Sequence, residues 1–332
     1  MASAAGVLHI EAMMQRVIHR LFTGLAVVAG VIALAFILLH LAPGDPARHL
    51  AGPNASAVQL AELRRTLGLD RPLAVQFLGW VGQAARGDWG TSIATGRPVG
   101  AMLGEAWPAT AVLVSLSLLL SYLLGIMIGL AQVRMPRWAD GAVSVGSTAL
   151  FAMPGYWLGV LLMWLLVYRW HLLPAFGVAG LDAEFLPPAA RLFDRLRHLA
   201  LPLLTLTLLG AGGVARFARG ALMDIRAAAF ITAARARGLP PEVVDRRYLL
   251  RNALVPVITL LGLSLPALFS GAVFVEAVFA WPGIGRVLVE AVQARDYPVV
   301  MAAATVSAIL VVVGNLVADL GLAWSDPRVR HA

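Results

Sequence analysis

Six apolar runs set the rhythm of this chain: Leu21 to Leu41, Ala109 to Gln132, Val143 to Val167, Leu199 to Ala215, Leu254 to Phe274 and Val299 to Leu320. About 20 consecutive apolar residues, wound as a helix, rise far enough to cross a hydrocarbon core of roughly 30 Å. The first run is longer than the apolar stretch of a signal peptide and no small-residue cleavage site follows it, so it reads as an uncleaved helix. The pattern predicts an all-α integral membrane protein with six transmembrane helices over 21–41, 108–133, 142–168, 199–216, 254–276 and 299–321. An even count puts both ends, 1–20 and 322–332, on one side. Met13 and Met14 offer alternative starts to Met1.

Arginine placement orients these spans. With the N-terminus inside, the inner segments hold 14 Arg against 7 Asp and Glu, and the outer ones 12 against 11. The net charge of +8 then falls almost wholly on the inner side, which predicts cytoplasmic termini. Eight of those Arg lie between Arg216 and Arg251, in the inner segment 217–253 and at its edge. The outer segments are then 42–107, 169–198 and 277–298. The first is a turn-rich external segment, punctuated at Pro43-Gly44-Asp45-Pro46, Gly52-Pro53-Asn54 and Gly87-Asp88. Helical spacing over Ala57 to Leu67 and a second apolar run around Trp80 predict two short helices lying on the bilayer, with Trp80 and Trp89 suited to its interface.

Composition narrows the chemistry. At 332 residues, 60% hydrophobic, 13% charged and mean hydropathy +0.81, the chain has too little polar surface to cover a soluble globule. It has no Cys, which removes disulfides and thiolate metal sites, and every one of its 26 basic Lys and Arg positions is Arg. Without Lys it holds no Walker A loop and is not itself a P-loop ATPase. The seven His are scattered, and no HExxH or nucleophile elbow occurs, so no catalytic residue, cofactor or metal is expected. Asp, Glu, Lys, Arg and His are absent from the cores of the second, third, fifth and sixth spans. An ion-coupled carrier places such groups at membrane depth, so the chain is either driven by an external motor or a passive channel or scaffold. Small residues at close-packing spacing mark Gly125 and Gly129, Gly155 and Gly159, and Gly210, Gly212 and Gly213. They fit packing within one subunit or a partner interface.

The stretch Met223 to Pro256 stands apart, being basic and broken by Gly and Pro between two apolar spans. An Ala-rich helical run from Arg226 to Arg237 stops at Gly238, Leu239-Pro240-Pro241 redirects the chain, and a second basic run carries Glu242 to Ala253. Gly ends helices in the left-handed conformation and Pro suits the first turn of the next, which predicts helix, tight turn, helix. A channel has no need of such a docking-sized pair. A motor subunit would.

Motifs along the whole length carry a resemblance: Leu41-Ala-Pro-Gly-Asp-Pro46, Leu67-Gly-Leu-Asp-Arg-Pro72, Gly87-Asp-Trp-Gly90, Met153-Pro-Gly-Tyr-Trp-Leu-Gly159, Arg251-Asn-Ala-Leu-Val-Pro256, Phe279-Ala-Trp-Pro-Gly-Ile-Gly-Arg286, Arg295-Asp-Tyr-Pro298 and Asp326-Pro-Arg328. In these the chain resembles the inner-membrane permease subunits of ATP-binding-cassette (ABC) importers for dipeptides, oligopeptides and nickel. The resemblance implies a type I importer permease fold in the bacterial inner membrane, with the external segment between the first two helices in the periplasm. It implies as partners a second homologous permease, two ATP-binding subunits, a periplasmic solute-binding protein and membrane lipid, with no nucleic acid. The cargo it implies is a peptide, with nickel or a metal chelate as the alternative. The importers' cytoplasmic consensus, Glu-Ala-Ala, three residues, then Gly, is similar to Thr232-Ala233-Ala234 followed by Gly238, with Thr in place of Glu. Thr232, Ala233, Ala234, Gly238 and Leu239 are thereby expected to couple the chain to an ATP-binding subunit, the small side chains letting the helix sit closely in a groove of that partner.

Overall fold

The computed structural model describes residues 2–41, 46–51, 55–66 and 68–325. The motif residues at 42–45, at 67 and from 326 onward lie outside the described residues, as does the end of the expected tail 322–332. Thirteen α-helices occur among the described residues, with no strand beyond an isolated bridge. The backbone divides into two compact units, Met1–Pro108 with Gly283–Leu316, and Ala109–Pro282 with Val317–Ala332.

In the first unit, α1 (Ala2–Leu41) continues the first apolar run back to Ala2. It presents large apolar side chains outward, Phe22 at 75% exposure, a surface that suits lipid. The segment between the first two apolar runs contributes α2 (Pro46–Ala51), α3 (Ala57–Thr66) and α4 (Leu73–Ala84). α5 (Val99–Gln132), of which the part up to Pro108 belongs to this unit, starts nine residues ahead of the expected edge at 108 because Pro108 is accommodated inside the helix. Trp80 and Trp89 meet edge to face at 6.3 Å. α12 (Ile284–Ala294) and α13 (Tyr297–Ser325) pack Ile284, Ala291, Val299 and Ala303 against Val99, Leu103 and Ala106 of α5.

A buried carboxylate organises this unit's polar rim. Arg295 closes α12 in the left-handed conformation, and Asp296, 2% exposed, follows it. Its oxygens accept from Ser92 Oγ at 2.5 Å and from the amides of Ile93 and Ala94 at 3.1 Å each, holding the turn between the bridged residues Thr91 and Pro98. A buried donor left unmatched costs about 1–3 kcal/mol. Asp296→Ala is therefore expected to accelerate hydrogen exchange at the Ile93 and Ala94 amides by about tenfold or more, while unchanged exchange would show that the carboxylate does not hold the turn.

The second unit is built on α8 (Pro188–Arg226), a 39-residue helix that extends well beyond the expected span 199–216 at both ends. Its first turns carry Arg191, Arg195 and Arg197, too polar to register as apolar but fully compatible with a helix. The expected single helix over 142–168 is instead two pieces, α6 (Arg137–Ala152) and α7 (Gly155–Met163), bent by 107° and followed by a π-helical stretch Trp164–Arg169. The break has a local cause. Met153 precedes proline and is extended at φ −79°, ψ 134°, while Pro154 lacks the amide that would continue the ladder. α11 (Arg251–Val278) is a 28-residue helix. Among the described residues, four helical stretches taken singly are long and apolar enough to cross a membrane: Ile18–Leu41, Val99–Gln132, Pro188–Arg226 and Tyr297–Leu316. The bent pair makes a fifth if it is one span.

The glycines at close-packing spacing serve packing inside the subunit. A Cβ on Gly125 would meet Val214 at 2.6 Å, and one on Gly129 would meet Ala218 at 3.0 Å and the Arg219 amide at 3.1 Å, so α5 and α8 touch backbone to backbone. Gly155 faces Leu209, Gly159 faces Phe279, and Gly213 faces Phe151.

Candidate functional site: a short basic helix pair on a buried apolar seat

The segment after α8 folds as α9 (Ala229–Ala236), a turn, and α10 (Pro241–Val243), which runs through a π-helical stretch Val244–Leu250 into α11. Gly238 ends α9 at φ +76°, the left-handed conformation, and its amide donates to the Arg235 carbonyl at 2.9 Å. A Cβ there would meet nothing within 4 Å, so the requirement for Gly is conformational and not steric. Pro240 then caps α10, and the Val244 amide donates to its carbonyl at 3.1 Å.

One face of α9 is sealed. Ile231 and Ala234 pack into a core with Leu222 of α8, Val244 and Leu249 of the π-helical stretch, and Ala253 of α11. Leu130 near the end of α5, Val133 just past it and half-buried Leu239 border it. Of the expected coupling residues, Thr232, Ala233 and Gly238 are exposed and Leu239 is half-buried. Ala234 is 0% exposed, which corrects the expectation that it faces a partner's groove: it seats α9 on its own subunit. Helical spacing explains the difference, since Ile231 and Ala234 share one face and Phe230 and Ala233 another. Phe230, 43% exposed, is the aromatic that sequence reasoning passed over. Its signal was there, the one aromatic ring in a short helix half made of alanine.

Around this seat stands a ring of polar ties. Arg219 on α8 makes a two-point ion pair with Asp140 in the first turn of α6, Nε to Oδ1 at 2.6 Å and Nη2 to Oδ2. Arg226 donates to the Val133 carbonyl at 2.8 Å, and Arg134 pairs with Asp245 at 3.1 Å.

A cavity of about 870 Å³ opens elsewhere in the same unit. Its wall is mostly apolar, with Phe151, Leu206, Gly210 and Gly213 among its residues, and the Tyr122 hydroxyl and Ser264 Oγ meet there at 2.8 Å. Arg216 also lines it, its guanidinium lying over the Phe151 ring at 4.8 Å. Such a wall leaves room for a solute beside a mostly apolar surface.

Comparison with known proteins fits this geometry. The family described as binding-protein-dependent transport system inner membrane component matches residues 121–331, and its N-terminal companion, "Binding-prot-dependent transport system membrane comp, N-term", matches 13–104. The Escherichia coli (strain K12) protein named "Probable D,D-dipeptide transport system permease protein DdpB" is 43% identical over 91% of this chain and 94% of its own length. The oligopeptide transport system permease protein AppB of Bacillus subtilis (strain 168) is 36% identical over 95% of this chain and 99% of its own. The glutathione transport system permease protein GsiC of Salmonella choleraesuis (strain SC-B67) is 36% identical over 96% of this chain and 100% of its own. With its long apolar helices, its basic helix pair and these matches along both parts, the chain belongs to the inner-membrane components of binding-protein-dependent transport systems, the permease subunits of ABC importers.

Proposed function

We propose that this permease forms half of the pathway by which an ABC importer carries di- and oligopeptides across the bacterial inner membrane. The observation that carries the reading is the helix pair itself. α9 is too short to be stable alone, is held on a buried seat, and offers the exposed edge of Phe230, Thr232 and Ala233 up to the left-handed Gly238. A membrane protein that needed only a basic anchor would not require that edge. Peptide cargo rests on the relatives, whose names specify D,D-dipeptide, oligopeptide and glutathione transport; nickel finds no such support among these three.

In this reading the chain crosses six times, with α11 and the bent α6–α7 pair each counted as one crossing and both termini in the cytoplasm. Its partners are a second, homologous permease, two ATP-binding subunits that receive the α9 edge, and a solute-binding protein outside. ATP binding closes the motor pair, α9 carries the motion inward, and the path between the two permeases switches from inward- to outward-facing. Thr232, Ala233, Gly238 and Leu239 act at the contact or shape it, and Ala234 holds it from behind.

Purification of the assembled importer tests this. Gly238→Val forces a β-branched residue to positive φ, at about 1–2 kcal/mol or more, and Ala233→Asp sets a bulky charge on the docking edge. Both variants are expected to insert normally yet lose ATP-binding-subunit retention and at least about tenfold of peptide-stimulated ATP hydrolysis, a loss of about 1.4 kcal/mol of coupling. Wild-type retention and stimulation in both would return the segment to a basic anchor.

A further inference from the structure

The turn between α5 and α6 is held to the coupling segment from several directions, and one of these ties is of a different kind from the rest. Gln132, the last residue of α5 and 2% exposed, shares its side-chain N–H donors between Asp140 Oδ1 at 3.2 Å and Ser144 Oγ at 3.0 Å. The same Asp140 receives the two-point pair from Arg219 on α8. Three helices thus converge on one carboxylate. Seven residues further along α8, Arg226 holds the Val133 carbonyl, and Val133 with Leu130 borders the apolar seat of α9.

We infer that Asp140 and Arg219 are positioning residues for energy coupling: their pair locks α6 to α8, so that a displacement of α9 carries the α5–α6 turn and the helices entering the membrane as one body. The inference rests on the reading of α9 as the element that meets the ATP-binding subunit. A planar guanidinium gripping both carboxylate oxygens fixes angle as well as distance, which a single contact does not. The pair is partly shielded, with side-chain exposures of 32% and 20%, so water screens it less than the Arg134–Asp245 pair, whose Arg is 71% exposed. Stiffness between α6 and α8 at this level therefore comes from Asp140 and Arg219. Without them α8 can follow α9 while α6 lags.

The test uses the complete importer in lipid, with its binding protein and peptide, and reads three quantities: thermal stability, ATP-binding-subunit retention, and peptide imported per ATP hydrolysed. Asp140→Asn combined with Arg219→Gln removes the pair without leaving an unmatched charge. It is expected to keep stability and retention while import per ATP falls about tenfold. Arg219→Lys keeps the charge but grips at one point and should fall between. Arg97→Gln, which breaks an exposed pair with Glu105 in the other unit, should leave the ratio as in the wild type. An unchanged ratio in the double variant, or a loss that only tracks lowered stability, overturns the inference. Failure of the coupling reading is visible separately, as normal retention in Gly238→Val and Ala233→Asp, and would take this inference with it.

Discussion

Ala234→Asp is expected to unseat α9 and release the whole segment from Ala229 to Leu250, whereas Ala233→Asp, one residue away, leaves the fold intact. Ala234 is 0% exposed among Leu222, Ile231, Val244, Leu249 and Ala253, and every one of those neighbours is apolar. A carboxyl group there finds no donor from these side chains. Burying even a neutral polar group without a partner costs roughly 2–7 kcal/mol, and an ionised one costs more. That exceeds what an eight-residue helix contributes on its own, since helices this short depend on tertiary packing. Hydrogen exchange across 229–250 should therefore rise towards that of an unfolded segment in Ala234→Asp and stay at wild-type protection in Ala233→Asp. Equal protection in the two variants would contradict the assignment of the buried face. The contrast also separates two ways of losing the motor contact, since Ala233→Asp blocks the edge and Ala234→Asp removes the platform beneath it.

Before any coordinates, hydropathy located the apolar cores of the helices, because twenty apolar residues in a row have few other fates. Gly238 was equally legible, since a Gly after an Ala-rich run and before Pro-Pro has one economical explanation, and its φ of +76° agrees. Helix ends were not legible from hydropathy. α8 runs on through Arg191, Arg195 and Arg197, and α5 starts ahead of Pro108, because backbone continuity does not depend on lipid exposure. The break at Met153-Pro154 was visible as a motif and still read as part of one span, since an apolar run has no gap there. Within α9 the difficulty was of another kind. Where four of eight residues are Ala, no polar and apolar alternation reveals which face is buried, and only the packing of Ile231 does. The Asp140–Arg219 pair joins residues 79 apart in sequence, a separation at which composition and spacing say nothing.

Gly212→Val is expected to separate α6 from α8 and to remove most of the folded protein from the membrane. A Cβ built on Gly212 would lie 2.6 Å from the Ser147 carbonyl oxygen, 3.2 Å from the Leu150 Cβ and 3.2 Å from the Phe151 amide nitrogen. Two of those three atoms belong to the backbone of α6, so no side-chain rotation relieves the clash and the helices themselves must move apart. Overpacking a well-filled interior costs about 1–3 kcal/mol when side chains can adjust, and here they cannot. In lipid no hydrophobic drive restores the lost contact, because the tails are as apolar as the helix faces they would cover. The same displacement would also stretch the Asp140–Arg219 grip, which depends on the spacing of these two helices. Gly146→Val supplies the comparison within α6, since a Cβ at Gly146 meets nothing within 4 Å. Detergent-extracted, monodisperse protein should fall several-fold in Gly212→Val and remain near wild type in Gly146→Val. Equal yields and equal thermal stability in the two would mean that α6 and α8 do not approach as closely as Gly212 requires.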